Sequence, residues 1–323
     1  MHFFSYLCIP NAIYLSSSLL QITVRSRMEE RAADIKLPAN SDVALVLVLY
    51  NPSADDLHNV TQLSMRYEGV IVDNSDEDNF DGREVNRMEY IPLHGNHGIA
   101  EAQNVALRNI LARGRAHYAV FFDQDSRYQE GYPLKIAAYF EQTASLLPNI
   151  AALGPTVITN DTEEEYRSAF HDDKYLTSDF IVRRDIISSG CCISTAVLNA
   201  VGLLDESLFI DFVDTEWCFR AQSKGYVVGV TPRVKIKHKV GLGEIHIGKH
   251  IVSIAAPYRY YYQYRNFLLL LSRGYVPLQF KINFGIKLLC RFFYLPFMIK
   301  NGRKSWQNMA RGIADGIKAI LSK

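Results

Sequence analysis

Residues 117–126 read HYAVFFDQDS, an apolar run of strand length that ends in two aspartates one residue apart, Asp123 and Asp125. A strand buried in a sheet delivers whatever follows it to the sheet edge. Here that is a pair of hard oxygen donors, placed where a divalent ion can bridge the phosphates of a nucleotide. Short acidic triplets also occur on solvated loops, so the surrounding pattern has to decide.

Upstream, residues 42–50 (DVALVLVLY) form a continuous apolar run, as expected of a strand covered on both faces. Asn51-Pro52 breaks it, and Ser53 with Asp56 three residues on predicts a capped helix that ends near Met65. Strands are expected at 70–73, 90–92, 117–122 and 150–154, and helices at 98–113 and 133–147. This alternation predicts a parallel, doubly wound α/β sheet. Downstream, 159–179 reads as a polar surface excursion, 181–187 as a strand, 188–190 as a turn, 214–224 as a helix and 225–230 as a strand. Residues 235–250, rich in Gly, His and Lys, have the composition of a mobile loop.

The 323 residues are 48% hydrophobic and 21% charged, enough to bury a large core. A net charge near +1 gives no nucleic-acid signature. The charge is uneven, with nine Lys or Arg and one acid, Asp315, in residues 275–323. Five cysteines, two of them adjacent (Cys191, Cys192) and none in a C-x-x-C pair, indicate neither a disulfide framework nor a zinc site and fit a reducing cytoplasm. Residues 286–299 (IKLLCRFFYLPFMI) are too short to span a bilayer. Lys287, Arg291 and Tyr294 fall on one helical face, and Lys300, Arg303 and Lys304 follow. That predicts a helix lying in the headgroup plane, although a core or dimer-interface helix shares the pattern. Residues 3–24 are moderately apolar but interrupted, and make neither a good membrane span nor a good signal peptide. Either Met28 is the real start or an interfacial helix precedes the sheet.

Candidate site residues cluster at strand ends. Tyr50 and Asn51 close the first strand, and Asp73 and Asn74 the second. Asp73 can accept a hydrogen bond from the imide N–H of uracil or thymine, or these residues can simply form turns. Gly98 lets a helix N-terminus approach a phosphate. Asn104 either orients a ribose or base or is a helix-surface amide. Residues 211–220 (DFVDTEWCFR) carry three carboxylates. They complement the helix dipole, or one of them, with Asp214 the first candidate, is a general base. Glu216 and Arg220 have the spacing of a helical salt bridge. His238 is a candidate metal ligand, and His246 and His250 read as loop residues.

The set LVLYNP, IVDNS, GNHGIAEAQN, FFDQDS, FIDFVDTEWCFRAQSKGY, HKVG and YRYYYQYRN resembles the family 2 glycosyltransferases of GT-A fold. Within them it is most similar to bacterial rhamnosyltransferases of cell-surface polysaccharide synthesis, over Val43 to Arg273. The resemblance implies a Rossmann-like, mostly parallel sheet flanked by helices over 41–265. An extension (1–40) precedes it, and a basic, amphipathic, membrane-associating helical region (266–323) follows. It implies a donor site of Tyr50, Asn51, Asp73, Asn74, Gly98, Asn104 and Asp123, with Asp73 on the pyrimidine and Asp123 on sugar or ribose. It implies Asp125 and His238 as ligands of Mg²⁺ or Mn²⁺, and Asp214 as base. The Glu-Asp pair common in the superfamily is here Val213-Asp214, so Asp211 stays an alternative base. The implied reaction is inverting transfer of L-rhamnose from dTDP-rhamnose to a lipid-linked saccharide. It would take place on the cytoplasmic face of the inner membrane, with a peripheral enzyme and a homo-oligomer as one open form. Other donors (UDP-hexose, galactofuranose), a nucleotidyltransferase and a non-catalytic nucleotide-sugar-binding protein are the alternatives. A nucleotidyltransferase usually carries a Gly-rich basic loop after its first strand, and Tyr50-Asn51-Pro52 is not one.

Overall fold

The computed structural model describes residues 35–125, 127–159, 174–238, 243–247 and 250–322. For 159, 174, 175, 237, 238, 243–247 and 250–253 it describes the backbone alone. The expectations for the first 34 residues, for 160–173 and for the segment 239–242 lie outside these.

The first half runs β1 (Val43–Leu49), α1 (Ala54–Arg66), β2 (Glu68–Asp73), β3 (Glu84–Val85), β4 (Met88–Pro92), α2 (Ile99–Arg113), β5 (Tyr118–Asp123), α3 (Tyr132–Leu146) and β6 (Ile150–Thr159). All seven residues of β1 are buried. Val43, Leu45, Leu47 and Leu49 face one core with α1 and α3, and Ala44, Val46 and Val48 face the other with α2. That two-sided cover is why the strand reads as unbroken apolar sequence rather than as alternation. Each fully buried Val or Leu contributes about 1.5–3 kcal/mol. Ser53 caps α1 as expected, exchanging bonds with Asp56.

The second half adds β7 (Lys174–Tyr175), β8 (Ile181–Arg183), β9 (Cys192–Ser194), α4 (Thr195–Val201), α5 (Val213–Ser223), β10 (Val227–His238), the hairpin β11 (Gly243–Ile247) and β12 (His250–Ile254), α6 (Pro257–Leu271), α7 (Leu278–Met298) and α8 (Gly302–Leu321). Among the described residues the main sheet has the order β3-β4-β2-β1-β5-β9-β6-β10-β8-β7. The β4-β2-β1-β5 block is parallel, as is β6-β10, while β9 runs antiparallel between β5 and β6.

Three expectations change. The loop expected at 235–250 is instead the end of β10 followed by a paired hairpin, with His246 opposite Ile251 and Ile247 opposite His250. Val234 and Ile236 are buried while Arg233 and Lys235 are exposed, so strand alternation outweighs the Gly and His content. The strand expected at 181–187 stops at Arg183, and residues 185–188 turn into a cavity. The helix expected at 286–299 is the second half of the 21-residue α7, and α6 runs through the boundary expected at 265/266.

The C-terminal helices make a third core around Phe219, Tyr260, Phe280 and Met309. α8 lies close against α6: a Cβ on Gly312 would stand 2.3 Å from the Tyr261 carbonyl oxygen. Among the described residues no helix is long and apolar enough to cross a membrane.

Candidate active site

Register places the strand ends side by side. Leu49 pairs with Asp73, and Val48 with Asp123. Side chains then bolt the three ends together. Gln124, the middle of the DQD triplet, accepts from Tyr50 N at 2.7 Å and returns a bond to Tyr50 O at 3.2 Å. Ser75 Oγ accepts from Asn51 N at 2.8 Å, and Leu49 O accepts from Asn74 N at 2.8 Å. Tyr50, Asn51, Asp73, Asn74 and Asp123 are therefore gathered on one ledge. Tyr50 keeps an exposed ring, Asp123 is half-buried and Asp125 is exposed.

Asp73 is 1% exposed and heavily engaged. Its Oδ2 accepts from Tyr90 Oη at 2.6 Å, Asn79 Nδ2 at 2.8 Å and Asn79 N at 3.1 Å, and its Oδ1 from Ser75 N at 3.1 Å. Burial pushes its carboxyl up, but these donors outweigh burial and hold it below its ordinary value. Its placed partners make it the anchor of the 74–79 turn. Asn74 holds the next loop, donating to Asn96 Oδ1 at 3.1 Å and accepting from His97 N at 2.8 Å.

That loop reaches Gly98, at φ 88°, whose Cβ position is 2.6 Å from the Phe209 ring and 2.7 Å from the Phe209 carbonyl oxygen. No other residue fits there. Ala100 N donates to that carbonyl at 3.4 Å. Asn104, by contrast, is fully engaged within the protein. It is buried, both of its amide protons go to Leu204 O and Glu206 Oε1 (each 2.9 Å), and its Oδ1 accepts from Leu204 N. This corrects the expectation of a ribose or base contact. α2 turns that face of Asn104 toward the 204–206 segment, and the amide fixes it.

The segment after Phe209 is strained: Phe209, Asp211 and Phe212 all have φ between 64° and 66°. α6 holds it there. Asn266 Nδ2 donates to the carbonyls of Leu208 (2.8 Å), Ile210 (2.8 Å) and Asp211 (3.1 Å). Arg265 donates to Ser207 O, and Arg259 grips the Asp211 carboxylate with two bonds. The YRYYYQYRN motif is thus a clamp on the loop ahead of α5, a role its composition does not reveal.

The three carboxylates of that segment have separate fates. Asp211 is paired to Arg259 at 2.6 Å. Glu216, 1% exposed, forms the expected pair with Arg220 (2.9 and 3.0 Å) and also takes Arg273 (3.1 Å) and Tyr275 Oη (2.6 Å), a buried network rather than a surface bridge. Asp214 opens onto a cavity of about 460 Å³, lined also by Asp185, Asp211, Arg259 and Phe121. Burial and the neighbouring Asp185 push its carboxyl up to about 6, against the stabilising Thr215 N–H at 2.8 Å. Asp185 lies in a stretch that reads as strand and gives no local signal of its own.

Asp123 and Asp125 do not line this cavity. The cavity and the strand-end ledge nevertheless meet along β5. Phe121 lines the cavity, and by strand alternation Asp123 stands on the same face about 7 Å further along β5. Among the described residues no group of three or more His, Cys, Asp or Glu side chains converges as a metal centre. The two carboxylates are nonetheless the hard donors that Mg²⁺ or Mn²⁺ takes together with water and phosphate oxygens. His238 ends β10 opposite Thr159, and its side chain lies outside what is described.

The chain is 31% identical over 293 residues, 87% of its own length and 97% of the relative's, to dTDP-rhamnosyl transferase RfbF of Shigella flexneri. It belongs to the family 2 glycosyltransferases. No protein-family profile matches the chain. Among solved structures, S. aureus TarS superposes with TM-score 0.51 at 14% identity; the match covers 86% of this chain and about half of TarS (49%). The 1–349 fragment of TarS in complex with UDP-GlcNAc gives 0.50 at 14% identity, covering 86% of this chain and 81% of the fragment. These likenesses establish the GT-A fold, and the similarity to the Shigella transferase makes the enzyme a glycosyltransferase.

Proposed function

We propose that the enzyme transfers L-rhamnose from dTDP-rhamnose, with inversion, to a hydroxyl of a lipid-linked saccharide in cell-surface polysaccharide synthesis. The observation that carries the reaction type is Asp214, a carboxylate raised to about 6 in a cavity that adjoins the strand-end ledge, while its rival Asp211 is committed to Arg259. Rhamnose is supported by the similarity to the Shigella transferase along nearly its whole length.

In this reading Tyr50, Asn51, Asp73, Asn74, Gly98 and Asp123 form the donor ledge, and Asp125, with Asp123 beside it, holds Mg²⁺ or Mn²⁺. Asp73 and Asn74 work by fixing the loops that shape the ledge. When bound, the cation neutralises charge on the departing dTDP. The acceptor hydroxyl attacks the anomeric carbon from the face opposite dTDP. The bond to the diphosphate oxygen breaks, and Asp214 takes the hydroxyl proton. Placing a fixed carboxylate where the proton leaves stabilises the transition state more than the ground state.

α7 supplies the membrane contact in this proposal. Leu278, Ile282, Ile286, Leu289, Phe293 and Phe297 are exposed at three- and four-residue spacing, one outward stripe that ends at an 88% exposed Phe297. Lys300, Arg303 and Lys304 follow. A helix of this kind lies in the headgroup plane on an anionic leaflet, here the cytoplasmic face of the inner membrane.

The test is a donor panel of dTDP-rhamnose, UDP-hexoses, UDP-galactofuranose and GDP-sugars, with and without Mn²⁺, reading nucleoside diphosphate release. Preference for dTDP-rhamnose is expected, and a UDP-sugar preferred over it would overturn the donor assignment.

A further inference from the structure

Lys287 and Arg291 stand one turn apart on α7, on the face opposite the apolar stripe, and both line the cavity that holds Asp214. Arg291 is 8% exposed. Its Nη1 donates to Gln263 Oε1 at 3.2 Å, but its Nε is buried without an acceptor. Lys287 lies over the Phe284 ring at 5.2 Å. Among the described residues neither cation pairs with a carboxylate. Asp211, in the same cavity, is already taken by Arg259.

Two like charges one helical turn apart repel, and surrounding protein adds to the strain. Crowding by protein and the charge of Arg291 both push Lys287 below its ordinary value. Lys287 is nonetheless exposed while it lines the cavity, as suits a side chain at the cavity mouth. A buried guanidinium N–H with no acceptor is costly. A multi-oxygen anion relieves both costs at once, because a planar fork and a mobile ammonium together match a phosphate.

We propose that Lys287 and Arg291 form a phosphate subsite on the acceptor side of the cavity, and that its ligand is the phosphate ester of an amphipathic lipid. The lipid source follows from α7 itself: one face carries the cations, the other the exposed stripe from Leu278 to Phe297. One helix therefore offers an anion site and an apolar runway within its own width. Only the word acceptor rests on the glycosyl-transfer reading.

The test titrates farnesyl diphosphate, farnesol, inorganic pyrophosphate and dTDP into wild type, Lys287→Gln, Arg291→Gln and Arg291→Lys, reading tryptophan fluorescence (Trp217 lines the cavity). Farnesyl diphosphate is expected to bind wild type and to weaken about tenfold or more in both Gln variants, as a lost charge-assisted bond requires, with Arg291→Lys recovering part of it. Farnesol should not distinguish the proteins, and dTDP affinity should hold in Lys287→Gln. Equal farnesyl diphosphate affinity in wild type and Lys287→Gln overturns the subsite, and does so even if Arg291→Gln fails to fold. Pyrophosphate binding as tightly as farnesyl diphosphate overturns the lipid source. A parallel loss of dTDP affinity overturns the acceptor-side placement. The donor panel above is independent of these three outcomes, so failure of the subsite and failure of the transferase reading are distinguishable.

Discussion

Arg259 grips Asp211 through two bonds, Nη2 to Oδ1 at 2.6 Å and Nε to Oδ2 at 3.2 Å, three residues ahead of Asp214. The grip occupies both oxygens of Asp211 and leaves Asp214 to face the cavity. Asp214→Asn should therefore retain dTDP binding while turnover falls about 100-fold or more, the usual worth of a general base. Single-turnover kinetics with a dTDP titration checks this, and near-normal turnover would move the base to Asp211.

The pH profile follows from the same carboxyl. A base works ionised, so kcat/KM should climb with pH through about 6. Asp185 is a like charge that raises Asp214, so Asp185→Asn should move that acidic limb to lower pH. Stability carries the opposite sign. The folded state holds the Asp214 proton longer than the unfolded state, so Asp214 costs stability as pH rises from 3.8 to about 6, and the cost persists above that. Asp214→Asn should melt above wild type at neutral pH, with the gap closing as pH falls toward about 4.

Asn266 supports three carbonyls of a strained loop with one amide. Asn266→Ala leaves them without that donor and should destabilise the fold by about 2–3 kcal/mol. Urea unfolding measures it. A loss confined to stability, with kcat intact, would show that the loop holds its shape without α6.

Gly98→Ala places a methyl group 2.6 Å from the Phe209 ring at a φ of 88°. Overpacking of this kind costs about 1–3 kcal/mol. Because the displaced residue leads into Asp211 and Asp214, kcat should fall together with stability, and an unchanged kcat would show the contact to be mechanically silent.

Leu289→Asp combined with Phe297→Asp puts charge on the outward stripe at two exposed positions outside the third core. Co-sedimentation with anionic vesicles should fall about tenfold or more while melting is unchanged. Added salt should weaken the wild-type association, since Lys300, Arg303 and Lys304 contribute to it.

The parallel half of the sheet was legible because its signals are local. An unbroken apolar β1, the Ser53–Asp56 cap and the acidic strand ends each sit in one short window. The rest depends on partners far along the chain. β9 is three residues long and becomes a strand only by pairing with Tyr118 and Ala152. Asp185 gains meaning from its place beside Asp214, and Asn104 loses its ligand role to a loop one hundred residues away. Composition misled at 235–250, where the alternation of Val234 and Ile236 decides. The shared face of Lys287, Arg291 and Tyr294 was visible as helical spacing, but the outward stripe that begins at Leu278, and the side its cations face, required α6 and α8 around the helix.

The contact of Gly98 with Phe209 ties the turn ahead of α2 to the loop ahead of α5, so the two cannot shift independently. In the proposed reading that seam joins the donor ledge to the segment leading into Asp214. A nucleotide sugar that displaced residues 96–98 would then move Asp214 with them. Selectivity built this way shows as lost turnover on near-cognate donors, with their occupancy left largely intact.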